Sequence, residues 1–294
     1  MPFSKIKKAI IPVAGLGTRM LPATKAIPKE LLPIYDKPLI QIVVEEAIDA
    51  GISEIIFVTR SGKEAIENHF DKNFELEQHL KSSKKNKSLR TIQNYFDKNL
   101  KISSIRQTEP LGLGHAILSA EHIINKNPFA VILPDELLIE KSNENDLKKL
   151  ITGYEKTGSA QILVEKILKK ATSKYGIAET KNTKKIYKSF SVSRLIEKPK
   201  PENTNSRYRI IGRYALPYKV MENLKSQKPG KDKEIQLTDA INRLLTDKKN
   251  NIDAIISSSK VYDCGSKKGF LGANLEIALK QSGMKKYLKG IIMD

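Results

Sequence analysis

The sequence predicts an α/β protein: a mostly parallel, mixed sheet with helices on both faces, a small β-excursion and a helical C-terminal tail. Three observations predict it. Short β-like apolar runs alternate with amphipathic helical stretches along the 294 residues, the pattern of crossover connections between parallel strands. A hydrophobic share of 39% beside 29% charged residues is that of a chain with a buried core, and excludes a fibrous or disordered one. Neither an internal repeat nor a linker breaks the chain. Residues 1–294 therefore read as one domain, with a core over 6–266, a lobe near 175–215 and a terminal segment over 267–294.

The first strand is expected at 8–14. Lys5, Lys7 and Lys8 ahead of the apolar residues 9–17 imitate a secretory leader. Pro12 and the immediate Gly15-Leu16-Gly17-Thr18-Arg19 turn suit a strand and loop instead, and no small-residue cleavage pattern follows. Helix 39–50 and strand 54–58 come next, then a polar, lysine-rich stretch at 82–101 that reads as an exposed insertion. Strand 102–106, helix 114–124, strand 129–133, helix 147–157 and strand 160–164 continue the alternation. Residues 177–201 form the β-excursion, because 186–192 alternates and the stretch ends at Glu197-Lys198-Pro199. Strand 208–214, helix 235–245 and strand 252–257 complete the sheet. The tail, 267–294, is amphipathic and suits packing or a subunit contact.

The net charge of +19 raises nucleic acid as a partner. Its construction argues otherwise. Of the 52 basic residues 43 are lysines scattered along the chain, and the nine arginines do not cluster, although arginine is the side chain that forks onto phosphates and bases. A lysine-rich solvated surface, or a phosphorylated small substrate, explains the charge better than a nucleic-acid face. No apolar run reaches the about 18 residues of a membrane span. The single cysteine, Cys264, excludes an internal disulfide and fits a reducing cytoplasm. His69, His79, His115 and His122 have no partner at zinc-ligand spacing.

The first expected strand runs into Gly15-Leu16-Gly17, and glycines just past a strand let backbone N–H groups approach phosphate oxygens. A P-loop would need Gly-Lys-Ser/Thr, which is absent. A dinucleotide fingerprint would need a small residue where Met20 stands, and Pro22 denies the loop an immediate long helix. Pro22, Pro28, Pro33 and Pro38 stiffen a long loop from which Arg19 and Lys29 extend. Asp135 and Asp263 each follow an apolar run, at the strand ends that face the ligand crevice of an open α/β sheet. Read alone, they could equally cap separate turns. Gln107 alone would be a surface polar residue, and Glu197-Lys198 a solvated ion pair.

Taken together, Gly15-x-Gly17-Thr18-Arg19, Pro22-x-Thr24, Pro28-Lys29-Glu30-Leu31-Leu32-Pro33 and Asp36-Lys37-Pro38 resemble the signature of the sugar-phosphate nucleotidylyltransferases. Later landmarks fall in that family's order: Gln107 before Gly112-Leu113-Gly114-His115-Ala116, Leu133-Pro134-Asp135, Tyr175-Gly176-Ile177, Glu197-Lys198-Pro199, Gly212-Arg213-Tyr214 and Asp263-Cys264-Gly265. The match runs from about residue 6 to about residue 280. It implies a Rossmann-like sheet and attack by a sugar 1-phosphate oxygen on the α-phosphorus of a nucleoside triphosphate.

Asn68-His69-Phe70-Asp71, Phe74-Glu75-Leu76-Glu77, Gly114-His115 and the polar insertion point to the branch that uses UTP and glucose 1-phosphate. A thymidylyltransferase is the alternative, although that branch usually lacks the insertion. A regulatory paralogue without activity should have lost Arg19, Lys29, Asp135 or Asp263, and all four are present. By the resemblance, Arg19 and Lys29 are catalytic and neutralise the triphosphate, while Ala14, Gly15, Gly17, Thr18 and Glu30 hold the nucleotide. Gln107 and Gly112 meet the base, and Gly176, Glu197 and Lys198 meet the sugar phosphate. Asp135 and Asp263 hold Mg²⁺, and the chain assembles as a homodimer or homotetramer. One departure is Glu136, where an apolar residue is expected and where a carboxylate could disturb the metal's electrostatics.

Overall fold

The computed structural model describes residues 3–93, 100–141, 144–181, 186–230 and 233–293. Fourteen strands occur among them: β1 (Lys8–Pro12), β2 (Pro33–Ile34), β3 (Lys37–Pro38), β4 (Glu54–Thr59), β5 (Lys101–Arg106), β6 (Phe129–Ile132), β7 (Glu136–Ile139), β8 (Ala160–Lys166), β9 (Gly176–Glu179), β10 (Ser189–Ser191), β11 (Arg194–Glu197), β12 (Tyr208–Leu216), β13 (Ile252–Ile256) and β14 (Lys260–Asp263). Ten of them form one sheet whose main path runs β10-β13-β8-β12-β6-β1-β4-β5, with β9 and β11 attached beside β12. The pairings β13/β8, β6/β1, β1/β4 and β4/β5 are parallel. β12 is antiparallel to both β8 and β6, so the sheet is mixed as well as mostly parallel along its path.

β1 sits between β6 and β4. The chain leaves β1 toward one side and returns to β6 on the other, which opens a crevice at the carboxyl ends of β1 and β6. The glycine loop and Asp135 follow those two ends.

Side chains alternate across the central strands, and each face builds its own core. Ile10, Ile56, Phe129 and Val131 pack on one face with Ile117, Leu224 and Ile241. Ala9, Ile11, Phe57 and Ile132 pack on the other with Val43, Ile66 and Leu150. Central strands buried on both faces are continuous apolar runs, and the runs at 8–14, 54–58 and 129–133 have that form. A third, smaller core under the tail joins Ile34, Leu39, Leu137 and Cys264 to Ala273 of helix Lys267–Leu279.

Several expected elements differ in extent. Helix 114–124 is two helices, Leu113–Ser119 and Glu121–Ile124. Helix 235–245 starts at Leu237, runs to Asn242 and continues as a 3₁₀ turn. The insertion expected at 82–101 follows helix Phe74–Ser82 and contains helix Asn86–Gln93, which buries no residue; part of it, 94–99, lies outside the described residues. In the β-excursion only Ser189–Ser191 of the alternating 186–192 is strand, and it pairs with β13 at the sheet edge. Residues 182–185 of that excursion lie outside the described residues. The tail is two helices, Lys267–Leu279 and Met284–Met293.

Candidate active site

β1 ends against β4, and the next residues turn sharply. Gly17 has φ +70°, a conformation that favours glycine. Its carbonyl accepts from Thr24 Oγ1 at 2.8 Å. A Cβ on Gly17 would sit 3.3 Å from Lys29 Cβ. The loop thus closes on its own lysine, and Lys29 Nζ lies beside Gly15. Ala14 is half-buried at the strand end, Thr18 is exposed at the start of a 3₁₀ turn, and Lys25 is exposed.

Lys29 donates to Asp135 Oδ2 at 2.8 Å. Arg19 spans both aspartates, with Nη1 3.1 Å from Asp263 Oδ2 and Nη2 3.6 Å from Asp135 Oδ2. The expected convergence of these two residues is real, and an element absent from the sequence reading produces it. β7 and β14 form an antiparallel ribbon in which Asp263 pairs with Glu136, and Cys264 N donates to Asp135 O at 2.7 Å. A second device, the buried Arg213, holds the loop from behind. Its guanidinium is bidentate to Glu46 at 2.8 and 2.7 Å and donates to the carbonyls of Leu133 and Glu136.

The charges tune one another. Burial pushes the Asp135 carboxyl up, but Lys29 and then Arg19 outweigh it and hold the group below the usual carboxylate range. Burial works to lower Lys29, and Asp135 and Glu30 raise it above its ordinary value. Glu30 is buried and accepts from Lys63 at 2.7 Å. Desolvation lowers Lys63 despite this partner.

Glu136, the departure from the expected pattern, is paired rather than loose. Arg209 Nη1 donates to its Oε1 at 2.5 Å and Gly212 N to its Oε2 at 2.5 Å. The Arg209 guanidinium thus offsets the charge that this carboxylate brings beside Asp135.

A cavity of about 320 Å³ opens from the two aspartates, bounded by Arg19, Asp135, Asp263, Gly176, Glu197 and Lys198. Glu197 pairs across from Gly176 in the β9–β11 register, and a Cβ on Gly176 would lie 3.3 Å from Glu197 Oε2. Lys198 Nζ is 3.8 Å from Glu197 Oε1. Gly15, Gly17, Lys29, Gln107 and Gly112 do not line this cavity. Gln107 and Gly112 form a separate corner, where Gln107 Nε2 donates to Gly112 O at 3.2 Å and lies 3.2 Å from His115 Nδ1. Gly112 has φ +94°, and a Cβ there would sit 2.7 Å from that of Glu234. Glu234 also lines the cavity and joins the two corners.

Nothing in the sequence singled out Glu234, which precedes the helix expected at 235–245, or Thr238 within it, whose Oγ1 donates to Glu197 Oε2 at 3.2 Å. A larger cavity of about 450 Å³ lies behind β7 and is lined by Glu45, Glu46, Asp49 and Glu140. None of Arg19, Asp135 and Asp263 lines it, so the Arg19 cavity, which opens at the carboxyl end of β6, is the candidate site.

No group of three or more His, Cys, Asp or Glu suited to a metal occurs among the described residues. Two carboxylates on one guanidinium still match a cation that takes one or two protein carboxylates and completes its shell with phosphate and water. Asp135 and Asp263 fit Mg²⁺ in that sense.

A glycine loop at a topological switch point, cations against paired aspartates and an adjoining pocket lined by Glu197 and Lys198 are the arrangement of a phosphate-transferring α/β enzyme. Residues 8–280 match the nucleotidyl transferase family model, and the chain belongs to that family. It is 44% identical over 292 residues to UTP–glucose-1-phosphate uridylyltransferase 2 of Streptococcus pyogenes serotype M3, covering 99% of this chain and 96% of the relative. Among solved structures it is similar to the UTP-bound UGPase from Acinetobacter baumannii (42% identity, TM-score 0.90, covering 98% and 99% of the two chains). It is also similar to a UDP-glucose pyrophosphorylase complexed with UDP-glucose (38% identity, TM-score 0.83, covering 94% and 100%). No helix among the described residues is long and apolar enough to cross a membrane.

Proposed function

We propose that this chain transfers the uridylyl group of UTP to glucose 1-phosphate, forming UDP-glucose and pyrophosphate in the cytoplasm. The observation that supports it most is the Arg19–Asp135–Asp263 cluster, with Lys29 beside the glycine loop. One point then serves two phosphates, the α-phosphate of UTP and that of the sugar. The names of the relatives, one bound to UTP and one to UDP-glucose, support the same pair of substrates.

A phosphate oxygen of glucose 1-phosphate attacks the α-phosphorus in line, and the bond to the bridging oxygen breaks so that pyrophosphate leaves with the electron pair. Such a transfer requires positioning and charge neutralisation more than covalent help. Ala14, Gly15, Gly17 and Thr18 hold the triphosphate, and Arg19 and Lys29 neutralise it and the departing pyrophosphate. Gln107 and Gly112 receive the uracil, while Glu30, expected to hold the nucleotide, is buried on Lys63 beneath the loop and acts there through that pair. Gly176 leaves room for the sugar ring, Glu197 accepts from its hydroxyls, and Lys198 holds its phosphate. Asp135 and Asp263 would hold Mg²⁺, which when bound would supply positive charge that offsets the repulsion between the reacting phosphates.

The exposed Leu271, Leu275 and Leu279, spaced by four on helix Lys267–Leu279, support a homodimer or homotetramer built on the tail; light scattering of L271E/L275E against wild type tests that. Pyrophosphate release from UTP or dTTP with Mg²⁺ and a panel of sugar 1-phosphates tests the activity. Turnover with UTP and glucose 1-phosphate is expected. Preference for dTTP, or no turnover, refutes it.

A further inference from the structure

Arg209 lies almost wholly buried beneath the sugar side of the cavity, with 5% of its side chain exposed, and it has three partners there. Nη1 reaches Glu136, Nε and Nη2 reach Glu165 Oε1 at 2.6 and 2.5 Å, and the guanidinium lies 4.5 Å from the centroid of the Tyr175 ring. Two of the partners, Glu136 and Tyr175, line the cavity on different edges. Glu136 follows Asp135 directly. Tyr175 precedes Gly176, and its carbonyl accepts from the Lys198 backbone N–H at 3.1 Å. Lys198 has φ +44°, a strained backbone that persists only when its surroundings hold it.

The other oxygen of Glu136 has an equally specific use. The pairing of β12 with β8 breaks between Ile211 and Tyr214, which takes Gly212 out of that ladder. Its N–H donates to Glu136 Oε2 instead, so the carboxylate closes the bulge.

We propose that Glu136 and Arg209 form a positioning pair that sets where the sugar 1-phosphate sits relative to Asp135. This rests on the proposed uridylyl transfer. The pair ties the aspartate's loop to the Tyr175–Gly176 edge and, through Tyr175 O, to the turn bearing Glu197 and Lys198. Neither partner needs to touch the substrate. The planar, forked guanidinium bonds two carboxylates and stacks on a ring in one fixed geometry, which a lysine ammonium cannot reproduce. The nucleotide corner at Gln107 and Gly112 shares none of these contacts, so the larger effect falls on the sugar phosphate.

The experiment measures KM for glucose 1-phosphate and for UTP separately, with kcat and Tm, in wild type, E136L/R209M and R209K. The double variant removes both charges together, because a lone buried charge would itself unfold the chain. A rise of about ten-fold or more in KM for glucose 1-phosphate in E136L/R209M is expected, with KM for UTP within two-fold of wild type and R209K intermediate. Folded variants with an unchanged sugar KM, or with both KM values raised alike, overturn the proposal. If the double variant does not fold, R209K decides: a selective rise in the sugar KM supports positioning, and wild-type values refute it. Failure of wild type to use UTP and glucose 1-phosphate refutes the activity instead, and so is distinguished from failure of the pair.

Discussion

Replacing Lys29 by alanine separates catalysis from folding. The ammonium is 2.8 Å from Asp135 Oδ2, and the two side chains are 16% and 23% exposed. Breaking a fully buried ion pair costs about 3–5 kcal/mol because the survivor is left unpaired. Here Asp135 keeps Arg19 at 3.6 Å and some solvent, so the cost to the fold is closer to ~1–2 kcal/mol, or a fall of about 2–6 °C in Tm for a chain of this size. The cost to the reaction is larger. A preorganised donor that meets charge developing on a transferring phosphate is worth about 10²–10³-fold in kcat, near 3–4 kcal/mol. Lys29→Ala is therefore expected to stay folded at 25 °C, with kcat down by at least about a hundred-fold. Pyrophosphate release at saturating substrates beside a melting curve reads both quantities. A kcat within a few-fold of wild type removes Lys29 from the mechanism, and loss of activity in step with loss of fold refutes the partition of energies.

Glu197→Gln exchanges a charged acceptor for a neutral one in the cavity and is expected to raise KM for glucose 1-phosphate about ten-fold, with KM for UTP little changed in initial-rate assays. Gly112→Ala forces a side chain onto φ +94° and against Glu234, so UTP affinity should fall several-fold by calorimetry while glucose 1-phosphate binding is spared. The stability difference between wild type and Lys29→Ala should depend on pH in a definite sense. Asp135 is depressed, so its share is present above the ordinary carboxylate pKa of about 4 and is lost as pH falls through its lower folded value. Lys29 is raised, so its share is present below about 10.5 and is lost as pH rises through its higher folded value. A difference that is flat between about pH 5 and 9 and shrinks at both ends is expected from melting curves; a difference that grows toward acid contradicts the assignment.

Contiguous motifs were legible in the sequence, and features made by long-range pairing were not. Gly15, Gly17 and Lys29 lie within one loop, so their closeness could be read from a short window, and the central strands declared themselves as unbroken apolar runs. The meeting of Asp135 with Asp263 depends on the β7–β14 ribbon, two four-residue strands too short and too mixed in polarity to signal pairing. Arg209 and Arg213 lie inside the strand expected at 208–214, and nothing local reveals that Glu136, Glu165 and Glu46 converge on them. Helix Asn86–Gln93 buries no side chain, and without a buried face its composition resembles that of a loop. Helices Glu64–Phe70 and Lys219–Lys225, seven residues each, span only two turns, and tertiary packing rather than periodicity specifies them.

Asp135 and Asp263 are proposed to hold one Mg²⁺ together, and both carboxylates would then be needed for metal-dependent turnover. The direct measurement is the Mg²⁺ dependence of UDP-glucose formation in wild type, Asp135→Asn and Asp263→Asn, with Mg²⁺ binding to the UTP complex followed by calorimetry. Both variants are expected to fold, to lose turnover at ordinary Mg²⁺ and to regain part of it at high metal, with metal affinity weakened in each. Full activity in either variant at ordinary Mg²⁺, or undiminished metal affinity in one of them, contradicts the shared site.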